Sequence, residues 1–193
     1  MRSAALLCCV VGLTVFAAGK KAPKAPPPPP PPPPVLKAPS EKLAEAMGGK
    51  VAEQLTHASK VEIARTSYVQ GIRPKPELAI GSDFQREGAW QPLEGQEIEK
   101  LRAFLYDEKS FNLAADVTKC NFTPDIVFQF TNESIDTLQV LVSFKCNQVL
   151  FFAVRSGGRT IPGLALDFKP GRKALLPVVK ELLRQDAVIQ GLK

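Results

Sequence analysis

Histidine is almost missing from this chain, and acidic residues are missing from its first 40 positions. The 193 residues hold one histidine, four cysteines, one tryptophan and two tyrosines. A zinc site needs four ligands, usually Cys or His. The chain offers one His and two Cys outside the N-terminal segment, with no second chelating cluster. A nucleophile of the Cys–His kind would need His57 beside a cysteine, and nothing in the spacing puts it there. The motifs GxSxG, SxxK and HExxH do not occur, which removes the commonest hydrolase signatures. Neither catalytic residues nor a cofactor or metal site is expected.

The missing early acids also explain the charge. The net charge is +6, but all 19 acidic residues lie at or beyond Glu41, and five basic residues lie before it. The remainder carries 20 basic against 19 acidic residues, a net +1. A nucleic-acid groove needs a basic stripe on the folded part. The excess belongs to the N-terminal region instead, so no nucleic-acid partner is expected.

No hydrophobic run reaches the ~20 residues of a membrane helix. The longest, Ala4 to Ala18, has 15 residues, follows Arg2 and ends in small residues. That is the pattern of a secretory signal peptide, residues 1–18, with an uncleaved anchor as the rival. Cys8 and Cys9 raise lipidation as a lesser option. Export would leave Cys120 and Cys146 as an even pair in an oxidising compartment.

Residues 19–39 are a proline-rich linker. Nine consecutive prolines at 26–34 lack the N–H that helices and sheets require. They predict a polyproline II rod of ~28 Å, at ~3.1 Å per residue. Lysines around the rod add weak attraction to a membrane surface or cell wall. The hydrophobic start, basic residues and rod resemble the tethers of TonB-type energy-coupling proteins in composition.

Residues 40–193 read as one globular domain. Ser40 can cap a helix over about 41–58, where Leu43, Met47, Val51 and Leu55 form one apolar stripe. A strand is expected at 61–69 and mostly loop at 70–94, with a short strand near Leu78–Ile80. A helix is expected at about 95–107. Strands follow at 149–154 and 161–168, joined by a turn at Arg155–Arg159. The last helix spans about 171–185, with Pro177 either kinking it or marking its first turn. The class is α+β: an antiparallel sheet built around a disulfide-linked hairpin, with helices packed on one face.

The hairpin reading comes from KCNFTPDIVFQFTNESIDTLQVLVSFKCNQ, residues 119–148. A turn centred on Glu133 sets Phe128 opposite Leu138, Ile126 opposite Val140 and Phe122 opposite Phe144. The other face pairs Gln129 with Thr137 and Val127 with Gln139. One face is apolar and the other mostly polar, as a half-buried sheet requires. Cys120 then faces Cys146, within disulfide reach. Pro124 opposes this register, because it cannot donate to a ladder. A thiol–disulfide redox partner is the alternative, although such centres keep their cysteines close in sequence.

Other residues compete for roles. Asp125 and Lys145 beside the cysteines, and Trp90 and Tyr68 flanking the long loop, are the binding-site candidates; Asp167 joins them if a cleft gathers these groups. Glu97, Glu99, Asp107 and Glu108 read as solvated helix surface, with carboxylate hydrolase chemistry as the rival. Gly157–Thr160 lacks the phosphate-loop spacing and reads as a turn. Asn132-Glu133-Ser134 is a glycosylation sequon.

The pattern Lys119-Cys120-x-Phe122-x-Pro124-Asp125, then Ser143-Phe144-x-Cys146-Asn147, then Asp167-Phe168-x-Pro170, resembles a group of small secreted bacterial proteins of uncharacterised function. The likeness covers roughly residues 60–185. It implies an exported bacterial domain in the cell envelope, with an envelope ligand or partner, and implies no activity.

Overall fold

A computed structural model describes residues 38–69, 74–75, 77–80, 83–132, 137–154 and 160–193. The leader, the proline run, the Arg155–Arg159 turn, the tip of the central hairpin and two residues of the sequon lie outside these.

Ser40 opens the domain as expected: its Oγ accepts from the Leu43 amide at 3.3 Å. The stripe Leu43, Met47, Val51 and Leu55 is buried. It runs over two helices, α1 (Glu41–Met47) and α2 (Gly49–His57), rather than one. Gly48 sits at φ 89° between them, a conformation in which the helical ladder cannot continue.

Strand β1 is Lys60–Tyr68, β2 is Ala79–Ile80 and β3 is Phe84–Pro92. The last of these corrects the loop expected at 70–94. QREGAWQP carries no clean alternation, because β3 is only partly covered along its length. It is a strand because β1 pairs with it, across a bulge between Ile63 and Arg65. Helix α3 (Gly95–Tyr106) follows, closed by a reciprocal capping box between Glu94 and Glu97.

Then come β4 (Ile126–Thr131), β5 (Thr137–Ser143), β6 (Gln148–Val154) and β7 (Thr160–Asp167). The chain ends with α4 (Arg172–Leu182) and α5 (Ala187–Gln190). Helix α4 runs through Pro177, so that residue is interior and not in the first turn. Its missing N–H leaves the Lys173 carbonyl without its helical donor.

The seven strands form one curled antiparallel sheet in the order β2-β3-β1-β4-β5-β6-β7. The fold is α+β. A second irregularity, between Leu150 and Phe152 of β6, adds to the curl.

The register of β4 against β5 differs from expectation by two residues. Phe128 pairs with Val140 and Ile126 with Val142, and the ladder closes at Thr131 opposite Thr137. Opposed residue numbers therefore sum to 268 rather than 266. A two-residue slip leaves every side chain on its face, so the apolar set survives the error. Phe128, Phe130, Leu138, Val140 and Phe144 all lie in the main core. Phe122 does not: it packs with the smaller cluster of Ala64, Ile80, Val127 and Leu141.

The main core joins the buried residues of all five helices to Val61 and Ile63 of β1 and their alternates across the sheet. The smaller cluster takes the intervening residues, so the expected polar face is apolar at Val127 and Leu141.

Candidate functional site

The cysteines are bonded, Cys120 to Cys146, with Cα atoms 5.8 Å apart. The bond is not a cross-strand pair. In the observed register the ladder ends at Ile126 opposite Val142. Cys120 follows a 3-10 turn at Val117–Lys119, and Cys146 lies in the turn between β5 and β6. Pro124 is the physical reason. It has no N–H to offer either neighbour, and β4 begins only two residues later. Its carbonyl is still used, accepting from the Thr66 hydroxyl at 2.8 Å.

The turn held by Cys146 draws several elements together. Asn147 takes a left-handed backbone, φ 54°, which Asn tolerates better than most residues. Its carbonyl accepts from the Phe168 amide at 2.8 Å. Arg172 donates to the Phe144 carbonyl and, at 2.8 Å, to Asn147 Oδ1. The guanidinium also stands over the Phe144 ring at 5.3 Å.

Asp125 belongs to this assembly. Its Oδ2 accepts from the Phe144 amide at 2.7 Å. Burial pushes its carboxyl above the usual range, partly offset by that bond and by the nearby Arg172 charge. Lys145 is exposed on the turn itself. Asp167 Oδ1 accepts from the Lys169 amide at 2.7 Å, a local turn bond. These carboxylates hold backbone, and no described cleft gathers them.

His57 is exposed at the end of α2. Among the described residues, no group of three or more His, Cys, Asp or Glu side chains could hold a metal ion. Glu108 is a surface latch: Lys42 and Ser40 bond its carboxylate and lower its pKa.

Trp90 and Tyr68 stand on one aromatic-rich side of the sheet. Tyr68 is 54% exposed, and its ring lies 5.9 Å from Phe84, which is 6.2 Å from Phe122. Trp90 is half-buried against the Ala64–Val127 cluster, with the Arg86 guanidinium 5.4 Å from its ring. The structure brings these aromatics to one cluster and leaves Asp125 and Lys145 at the hairpin base.

Beside them lies a row that sequence reasoning missed. Glu62, Gln129, Gln139 and Phe152 pair successively across β1, β4, β5 and β6. The next row on the same side is apolar: Ala64, Val127, Leu141, Leu150. The signal was present in the alternation of β4 and β5, but the expected register separated Gln129 from Gln139. Gln139 Nε2 donates to Gln129 Oε1 at 3.3 Å. Gln139 is only 6% exposed, and its Oε1 accepts no hydrogen bond. Glu62, 8% exposed, is paired with Lys60 at 2.9 Å.

A groove of about 210 Å³ opens on the other side of the β1–β3 bulge, lined by Arg65, Glu87 and Asp186 among others. Its charges are mutually satisfied. Arg65 reaches Asp186 at 2.9 Å and Glu87 at 3.9 Å. Ser67 and Gln85 donate to Glu87, and with Arg65 they lower its pKa.

No helix among the described residues is long and apolar enough to cross a membrane. Compared with known proteins, the chain matches no family model, and no curated protein or solved structure is significantly similar to it.

Proposed function

We propose that this chain is an exported cell-envelope protein whose folded domain binds an envelope ligand or partner and performs no chemistry of its own. The leader directs export, and the proline rod spaces the domain from a membrane or wall. The described helices back one face of the sheet, and Tyr68 stands exposed at the edge of the opposite face. The observation that carries the reading is the division of labour among the polar groups. Asp125, Asp167, Glu108 and Arg172 are each committed to holding backbone or a surface latch. The aromatic side of the sheet keeps Tyr68 exposed, 54% of it open to solvent.

The disulfide supports the compartment, since such bonds persist outside the reducing cytosol.

Expression of the full chain in a bacterial host, followed by fractionation and intact-mass analysis, tests the reading. The expected product is in the envelope or medium, shortened near Ala17, with no thiol that alkylates before reduction. A full-length cytoplasmic product with Cys120 and Cys146 freely alkylated overturns it.

A further inference from the structure

We infer that the outer side of α4 and α5 is a docking surface for an anionic phospholipid bilayer. This deepens the binding reading above by naming its partner, and rests on it. The domain divides its charge unevenly. From Lys169 onward there are six basic and two acidic residues; from Ser40 to Phe168 there are 14 and 17. The C-terminal segment is therefore net +4 and the rest of the domain net −3.

The basic residues share a side. Lys173 and Lys180 are two helical turns apart on α4, and so on one face. Lys169 and Arg184 extend that spacing by four residues in each direction, in the turns that flank the helix. Leu175 and Val179 take the buried side. Lys169, Lys173 and Arg184 are exposed, and among the described residues none of them meets a carboxylate. The two acids of the segment are engaged elsewhere. Glu181 reaches Lys100 of α3 at 3.2 Å, and Asp186 reaches Arg65 of β1 at 2.9 Å. Lys180 Nζ donates to the Gln190 carbonyl at 2.9 Å, which ties α4 to α5 without neutralising the charge. Beside it α5 adds Val188, 59% exposed.

The charge pattern selects the occupant. Each Lys or Arg near an anionic leaflet adds attraction, and an exposed apolar side chain can enter the headgroup boundary. A flat bilayer touches one side of the domain, so it meets the +4 segment and avoids the −3 remainder. A nucleic-acid strand is held in a basic groove, whereas this stripe lies on the convex outside of a helix.

Purified protein, as exported, is sedimented with vesicles of phosphatidylcholine alone or mixed with phosphatidylglycerol. Binding to the mixed vesicles at low salt is expected, with loss in ~1 M salt, where the screening length is ~3 Å. The triple variant Lys169→Gln, Lys173→Gln, Arg184→Gln should weaken binding roughly a hundredfold, about fivefold per cation, at an unchanged melting temperature. Lys50→Gln, Lys75→Gln, Lys119→Gln removes the same charge from other elements and should weaken it less than tenfold. No binding to the mixed vesicles overturns the proposal, as does equal binding to phosphatidylcholine alone. So does equal weakening by the two triples, or binding that the first triple leaves intact, which would place it in the tether lysines. Retention on DNA at the same salt in place of vesicle binding also overturns it. Fractionation reads export and this assay reads the partner, so either reading can fail alone.

Discussion

Asp125 and Phe144 are joined across the base of the central hairpin, the carboxylate accepting from the amide at 2.7 Å. The bond fastens the start of β4 to the turn after β5, one step beyond the Asp125 amide's own bond to the Val142 carbonyl at 2.8 Å. Its cost is a half-buried charge, and burial raises the Asp125 pKa. The folded state therefore holds the proton more tightly than the unfolded chain does. Its contribution is fully present below the ordinary Asp value of ~3.9 and is lost as pH rises through the raised folded value. Asp125→Asn keeps an oxygen for Phe144 but does not ionise. Urea unfolding between pH 3.5 and 7 should show wild type losing stability relative to this variant as pH rises. The opposite slope would mean that Arg172 and the amide bond outweigh burial. Asp125→Ala should cost about 1–3 kcal/mol, by leaving the Phe144 amide unpaired.

The disulfide closes a loop with a sequence separation of 26. On the chain-entropy model, Cys120→Ser with Cys146→Ser should lower stability by about 3 kcal/mol. That corresponds to a fall in melting temperature of roughly 6–12 °C for a domain of this size. The ladder between β4 and β5 does not include either cysteine, so far-UV circular dichroism of the folded variant should match wild type. Amide exchange should quicken first at Phe144–Asn147, which the bond helps to hold.

The two-residue register error shows what this sequence could and could not tell. The period-2 alternation of Ile126–Thr131 and Thr137–Ser143 identifies strands and faces without knowledge of the partner. Register depends on where the chain turns, and 132–136 offers several polar centres with nothing to choose among them. The right cysteine pairing thus came from a ladder that does not extend that far. Strand β3 was illegible for a related reason. Phe84–Pro92 gains its conformation from β1 across a bulge, and a half-covered strand needs no alternation. Helices were easier, because stripes such as Leu43–Leu55 are local; only Gly48, at φ 89°, divided one. The Gln129–Gln139 contact was hidden because neighbours across a sheet are invisible until register is known.

Two glycines outside β-structure should respond oppositely to alanine. A Cβ at Gly171 would lie 2.6 Å from Phe104 Cε2 and 2.8 Å from the Ser110 carbonyl oxygen. The second neighbour is backbone and cannot rotate away, so Gly171→Ala should cost roughly 1–3 kcal/mol through overpacking. Gly49 opens α2 with nothing within 4 Å of its added Cβ. Gly49→Ala should stabilise by about 0.4–1 kcal/mol, chiefly by restricting the unfolded chain. Thermal and urea unfolding of the two variants, compared with wild type, check both signs.

Arg172 ties α4 to the same turn by a planar fork that lysine cannot copy. Its Nη1 donates to the Phe144 carbonyl and, at 2.8 Å, to Asn147 Oδ1, its Nη2 donates to the Lys193 carbonyl, and the guanidinium lies 5.3 Å from the Phe144 ring centre. Arg172→Lys keeps the charge but loses the two-pronged geometry, so it should still cost roughly 1.5–3 kcal/mol. Asn147→Gly should cost little alone, since glycine suits φ 54° even as the side-chain acceptor is lost. In the Asn147→Gly background, Arg172→Lys should cost less than in wild type. A coupling of about 0.5–1.5 kcal/mol in the double-mutant cycle would place part of the arginine's role in the Asn147 bond. Strict additivity would instead assign all of it to the Phe144 carbonyl and ring and to the Lys193 carbonyl.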